Sequence, residues 1–271
     1  MTQDLTSLLS VWNWDPLTIV GMALILAVYL GVMFGYRPRY LPLQAINRTG
    51  MVYFLTSLCL IFLLQVSPLD MLSEKYLLVA HMVSHLTISN VVAPLMVLGM
   101  PAWWFDSILR TSFWKKLGRF LTNPPLAFML FNINLLMWHY PPFYEATLAN
   151  EAIHFIEHAA FLLTGLLFWW PLLSPTAELP RLPFAYRILY LFLASIPCTV
   201  LGVIFVFSPN VLYATYAAAP RITSLDPMMD QVTSGILMTT LDNLFYLGIL
   251  SVVFFKWVGH ENVSSAAKQN I

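Results

Sequence analysis

Long apolar blocks separated by short polar stretches dominate this chain, and they set the reading of everything else. A helix crossing the hydrocarbon core of a bilayer needs about 20 apolar residues, with a range of about 17 to 25. Seven blocks are read as spans on that measure: Leu17 to Tyr36, Met51 to Val66, Tyr76 to Gly99, Pro124 to His139, Ile153 to Leu173, Pro183 to Phe207 and Asp230 to Val258. Arg37-Pro38-Arg39 closes the first. Pro94 predicts a kink in the later half of the third, and Pro197 and Gly202 are the expected bend points of the sixth.

Pro101 to Leu121 has a different pattern. Trp103, Trp104, Phe105, Phe113, Trp114 and Phe120 alternate at helical spacing with Arg110, Lys115, Lys116 and Arg119, which predicts an amphipathic helix lying in the membrane interface. A polar loop with a single helical turn is expected from Tyr140 to Glu151, and a longer loop from Ser208 to Met229. No internal repeat is visible. The expected fold is therefore an all-α membrane protein: one seven-helix transmembrane bundle over residues 1–258 with one interfacial helix, followed by a polar tail at 259–271.

Charge placement predicts the orientation. With the N-terminus outside and the C-terminus in the cytoplasm, eleven of the thirteen basic residues fall on the cytoplasmic side, leaving Lys75 and Arg221 outside. That is the bias of the positive-inside rule. Composition agrees: 59% of the 271 residues are hydrophobic and 10% are charged, against about a quarter charged in soluble domains. The formal net charge is zero and the basic residues form no patch, so no nucleic-acid partner is expected and membrane lipids are. The two cysteines, Cys59 and Cys198, form no Cys-x-x-Cys pair and read as buried free thiols. No Lys or Arg precedes Arg37, so the first block reads as a retained span rather than a cleaved signal.

Five of the six histidines sort to one end of this topology. His81 and His85 lie early in the third span, His139 ends the fourth, and His154 and His158 open the fifth; His260 lies apart in the tail. Residues four apart share a helix face, and polar groups at membrane depth usually face an interior site. Two such pairs point to a ligand, whereas His139 alone would read as an interfacial residue. Neutral imidazole suits copper, zinc, iron and nickel. Met82, Asp230 and Met238 are auxiliary candidates; Glu157 is placed to hold the second nitrogen of an imidazole, and Asp242 lies deeper as a hydrogen-bonding partner. Haem is a weaker expectation, because adjacent i,i+4 pairs chelate a single ion more naturally. His154-Phe155-Ile156-Glu157-His158 also has the order of the H-x-x-E-H zinc peptidases, in which the glutamate activates a zinc-bound water. An integral-membrane zinc hydrolase is thus the enzymatic alternative.

Several motifs carry a resemblance: Ala80-His81-Met82-Val83-Ser84-His85, Ala93-Pro94-Leu95 to Gly99-Met100-Pro101, Met137-Trp138-His139-Tyr140-Pro141, His154 to His158, Phe168-Trp169-Trp170-Pro171, and Asp230-Gln231 with Gly235 and Met238. In this order they resemble the polytopic CtaG-type cytochrome c oxidase assembly proteins over roughly residues 10 to 258. The unrelated single-span copper chaperone that shares the name works through a cysteine pair, which is absent here. The resemblance implies a non-enzymatic plasma-membrane protein that assists maturation of haem-copper oxidase. Its partner would be an oxidase subunit, its cargo copper, and its ligands His81, His85, His139, His154 and His158.

Overall fold

The computed structural model describes residues 8–36 and 47–269; the expected stop of the first span at Arg37-Pro38-Arg39 lies outside them. Helices begin where short polar side chains cap them. Asp15 accepts the Thr18 amide ahead of α1 (Pro16–Leu30), which runs on as a π-helical turn over Gly31–Tyr36. Asn47 caps α2 (Arg48–Gln65), and Ser67 caps the short α3 (Pro68–Lys75). The third span is α4 (Leu78–Thr87), a π-helical turn (Ile88–Val92) and α5 (Ala93–Gly99). Pro94 has no N–H to donate one turn back, and the chain widens into the π turn just before it instead of simply kinking.

The single interfacial helix expected at Pro101 to Leu121 is two helices, α6 (Ala102–Ile108) and α7 (Ser112–Leu121). The fourth span is also corrected. α8 (Pro124–Trp138) has 15 residues, about 22 Å at 1.5 Å per residue, too short for a core of about 30 Å. Only taken together with α7, from which it bends by 58°, is it long and apolar enough to form a broken span or a re-entrant segment. Six other helical stretches are each long and apolar enough to span, which gives six or seven spans among the described residues. The loop expected at Tyr140 to Glu151 contains a nine-residue helix, α9 (Pro141–Ala149).

The remaining helices are α10 (Glu151–Leu173), α11 (Phe184–Phe207), α12 (Ala214–Ala218) and α13 (Pro227–Gln269). α11 continues unbroken through Pro197. The segment expected to be a polar tail continues α13 as helix as far as Gln269. No strand occurs among the described residues. The chain is a multi-pass helical membrane protein.

The third span is the centre of the bundle: 67% of its apolar window is buried, against 11% for the first span, whose side chains face outward. α11 and α13 cross closely. A Cβ added at Gly235 would lie 2.6 Å from the Gly202 carbonyl oxygen, and one added at Gly202 would lie 2.7 Å from that of Gly235. Small residues of this kind let membrane helices approach backbone to backbone. Around the ends of α4 and α10 nearest the histidines, Leu78, Met82, Tyr144, Phe161, Phe205 and Tyr213 form an apolar core.

Candidate metal centre

Two helix N-termini bring the chemistry together. Leu77, at the start of α4, offers no capping side chain. The cap comes from α13 instead: Asp230 accepts from the Leu78 amide through Oδ2 at 2.9 Å and from the Val79 amide through Oδ1 at 3.0 Å. That fixes the first turn of α4, and His81 and His85 follow on its inner face. The neighbouring α10 is capped by Asn150, whose Oδ1 accepts from Ala152 and Ile153. Its first two turns then carry His154, Glu157 and His158.

His81, His85, Glu157 and His158 form one group, with a ligand atom of each within 4.8 Å of every other. The His81 and His85 rings lie 4.3 Å apart, and the His85 and His158 rings 4.9 Å. Glu157 Oε1 is 3.5 Å from His85 Nε2 and 3.8 Å from His81 Nε2, too far for hydrogen bonds. Glu157 is fully buried, at 0% exposure, yet both its oxygens lack a partner, as do His81 Nε2 and both His85 nitrogens. A buried carboxylate is costly unless paired or coordinated. Three imidazoles and one carboxylate make up a four-donor set of the kind that holds a transition-metal ion, so the residues fit a metal. Glu157, expected to hold the second nitrogen of an imidazole, lies within this group itself.

His154 is not in that group. Its Nδ1 lies 2.6 Å from Glu74 Oε1, and its Nε2 2.7 Å from His158 Nε2. Gln65 Nε2 lies 3.1 Å from His158 Nδ1. An amide nitrogen only donates, so His158 Nδ1 accepts, His158 Nε2 carries the proton and donates to His154 Nε2, and His154 Nδ1–H donates to Glu74. Within H-x-x-E-H the two imidazoles meet through their Nε2 atoms, while His154 Nδ1 turns to Glu74 and Glu157 faces His81 and His85 on α4. Asp70, Glu74 and His154 form a second group with ligand atoms within 4.8 Å of one another. Burial, followed by the charge of Glu74, pushes the Asp70 carboxyl up to about 7, while the 2.7 Å hydrogen bond from Asn13 Nδ2 opposes the rise. Burial would raise Glu74 as well, but its hydrogen bond and charge pairing with His154 outweigh that and hold it below its ordinary value.

His139 also stands outside the four. Its Nδ1 is 2.7 Å from the Leu135 carbonyl, its ring 6.1 Å from that of His85, and its Nε2 has no partner. Met82 and Met238 are buried beside it. Asp230 is corrected from auxiliary ligand to helix cap, since both its oxygens are committed to α4. Asp242 does act as a hydrogen-bonding partner, accepting from Asn90 Nδ2 at 2.8 Å. His260 is exposed on α13, its ring 6.0 Å from Phe184. Sequence reasoning missed Gln65, Asp70 and Glu74; the polar run Ser67-Pro68-Leu69-Asp70 between two apolar blocks, with Glu74 four residues on, was the available signal.

A family model described as cytochrome c oxidase caa3 assembly factor matches residues 27–260. Comparisons with curated proteins and with solved structures found no match.

Proposed function

The chain belongs to the cytochrome c oxidase caa3 assembly factor family, and from that premise we propose that it holds copper among His81, His85, Glu157 and His158 and passes it to an oxidase subunit. The observation that carries this is the buried, unpartnered Glu157 carboxylate facing three imidazoles. A monovalent or divalent cation there offsets the buried charge and supplies the missing partners. Imidazole with carboxylate accepts copper and zinc alike; membership of an oxidase assembly family is what favours copper. The protein acts as a carrier, with no bond made or broken in a substrate.

Ligand nitrogens must be free of protons to bind metal. In the resting arrangement the proton on His158 Nε2 faces His154, whose other nitrogen faces Glu74. For His158 to ligate through Nε2 as a neutral imidazole, its proton moves to Nδ1 and the Gln65 side-chain amide turns to offer its oxygen there. Transfer then proceeds by exchange of imidazoles, with His154 and His139 close by. In this reading the histidine end faces outward in the plasma membrane, the side on which the positive-inside pattern places it.

The test is metal content of detergent-purified protein, comparing wild type with Glu157→Gln and with the His81→Ala/His85→Ala pair, together with oxidase copper content in the same cells. About one equivalent of copper is expected in wild type and a several-fold loss in both variants, with under-metallated oxidase. Unchanged copper in protein and oxidase alike would sink the proposal.

A further inference from the structure

One step deeper in the bundle lies a cavity of about 20 Å³, lined among others by Met82, His85, His139, Cys198, Met238 and Asp242. A space of this size admits one water or one ion. Four of its lining side chains are buried with an atom that finds no partner: His85 Nδ1, Asn90 Oδ1, His139 Nε2 and Asp242 Oδ2. Orphaned groups of this kind are rare in folded proteins and call for an explanation. The π-helical turn over Ile88–Val92 places Ser89 and Asn90 in the cavity wall, and such turns concentrate at functional sites. Asn90 holds the other oxygen of Asp242, so this carboxylate is fixed against the cavity at 3% exposure.

We propose that this cavity is a second metal site, selective for Cu(I), with donors drawn from Cys198, Met82, Met238, His85 and His139 and the charge of Asp242 offsetting that of the ion. The inference rests on the copper reading above. Its own ground is the chemistry of the wall: one thiol and two thioethers line the same cavity, and soft sulfur donors select Cu(I), whereas the four-donor group has none. Cys198 Sγ lies 3.9 Å from the Met238 carbonyl oxygen, which holds the thiol on the α13 side. A water could satisfy the orphaned nitrogens and oxygens, but it would draw no sulfur around itself. His85 belongs to both groups. Its Nε2 faces Glu157 while its Nδ1 is free, so the ring forms the wall between the two positions, and an ion can pass inward by exchanging partners on either side of it.

The experiment is an anaerobic Cu(I) titration of selenomethionine-labelled, detergent-purified full-length protein, read by stoichiometry and by copper and selenium X-ray absorption. About two equivalents are expected, with selenium in the copper coordination sphere. In Cys198→Ser/Met238→Leu the count should fall to about one. The surviving equivalent, bound by nitrogen and oxygen alone, would show that the variant is folded; Met-to-Leu exchange conserves volume. One equivalent in wild type with no selenium contact would overturn the second site and leave the first standing, the cavity then holding only water. Two equivalents retained in the variant would also overturn it. No Cu(I) at all would overturn both this site and the proposed function.

Discussion

Replacing Asp230 by alanine takes the acceptor away from two backbone amides at once, Leu78 at 2.9 Å and Val79 at 3.0 Å. Leu78 is 1% exposed and Val79 half-buried, so water cannot fully substitute. An unsatisfied buried donor costs about 1–3 kcal/mol, and the favourable pairing of a carboxylate with a helix N-terminus is lost as well. The expected destabilisation is about 2–5 kcal/mol. At about 2–4 °C per kcal/mol for large single domains, the melting temperature should fall by roughly 4–20 °C. Because the same cap sets the first turn of α4, His81 and His85 lose their anchor and copper retention should drop with stability. Asparagine keeps one acceptor oxygen but sets its NH2 against the other amide, so Asp230→Asn should melt between wild type and Asp230→Ala and keep more of its copper than alanine does. Thermal unfolding in detergent, paired with copper per protein, separates the two roles of this residue. A ligand would be lost equally in Asn and Ala. The capping argument is refuted if Asp230→Ala melts like wild type, or if Asp230→Asn loses copper at unchanged stability.

Two further outcomes follow from the same geometry. Asp70 is pushed by burial and by Glu74 from 3.8 to about 7, so the folded state keeps a proton that the unfolded chain releases. Stability therefore falls as pH rises from about 4 through about 7, by on the order of 4 kcal/mol at most. Asp70→Asn should flatten this slope and out-melt wild type near pH 8; parallel pH profiles would contradict the assignment. Gly235→Ala places a Cβ 2.6 Å from the Gly202 oxygen and 2.8 Å from Phe205 Cβ, where backbone cannot yield, so α11 and α13 must separate at a cost of about 1–3 kcal/mol. Gly248→Ala, which meets nothing within 4 Å, is the control and should be neutral or slightly stabilising; equal melting temperatures for the two variants would dismiss the close crossing.

Much of this protein is written in local pattern. Span length selects helices from the apolar blocks, and i,i+4 spacing puts His81 with His85 and His154 with His158 on single faces. Capping residues such as Asn150, and the ordered motifs from Ala80 to Met238, are equally legible, as was the gathering of five histidines at one end. How those histidines divide was not. Spacing sets depth and face along one helix, but the rotation of one helix against the next comes from contacts far apart in sequence: the Gly202–Gly235 crossing and the Asp230 cap on α4. With α10 held against the third span, where Trp169 Nε1–H donates to the Ser89 carbonyl at 2.7 Å, Glu157 and His158 face α4 while His154 meets Glu74 from the short α3. His139, at the end of a helix too short to span alone, is left facing the sulfur-lined cavity. Asp230 and Glu157 each stand in other surroundings than expected for the same reason. A carboxylate's partner is whichever donor the packed bundle brings to it, and only the tertiary structure made Leu78 and Val79 the partners of one and three imidazoles the neighbours of the other.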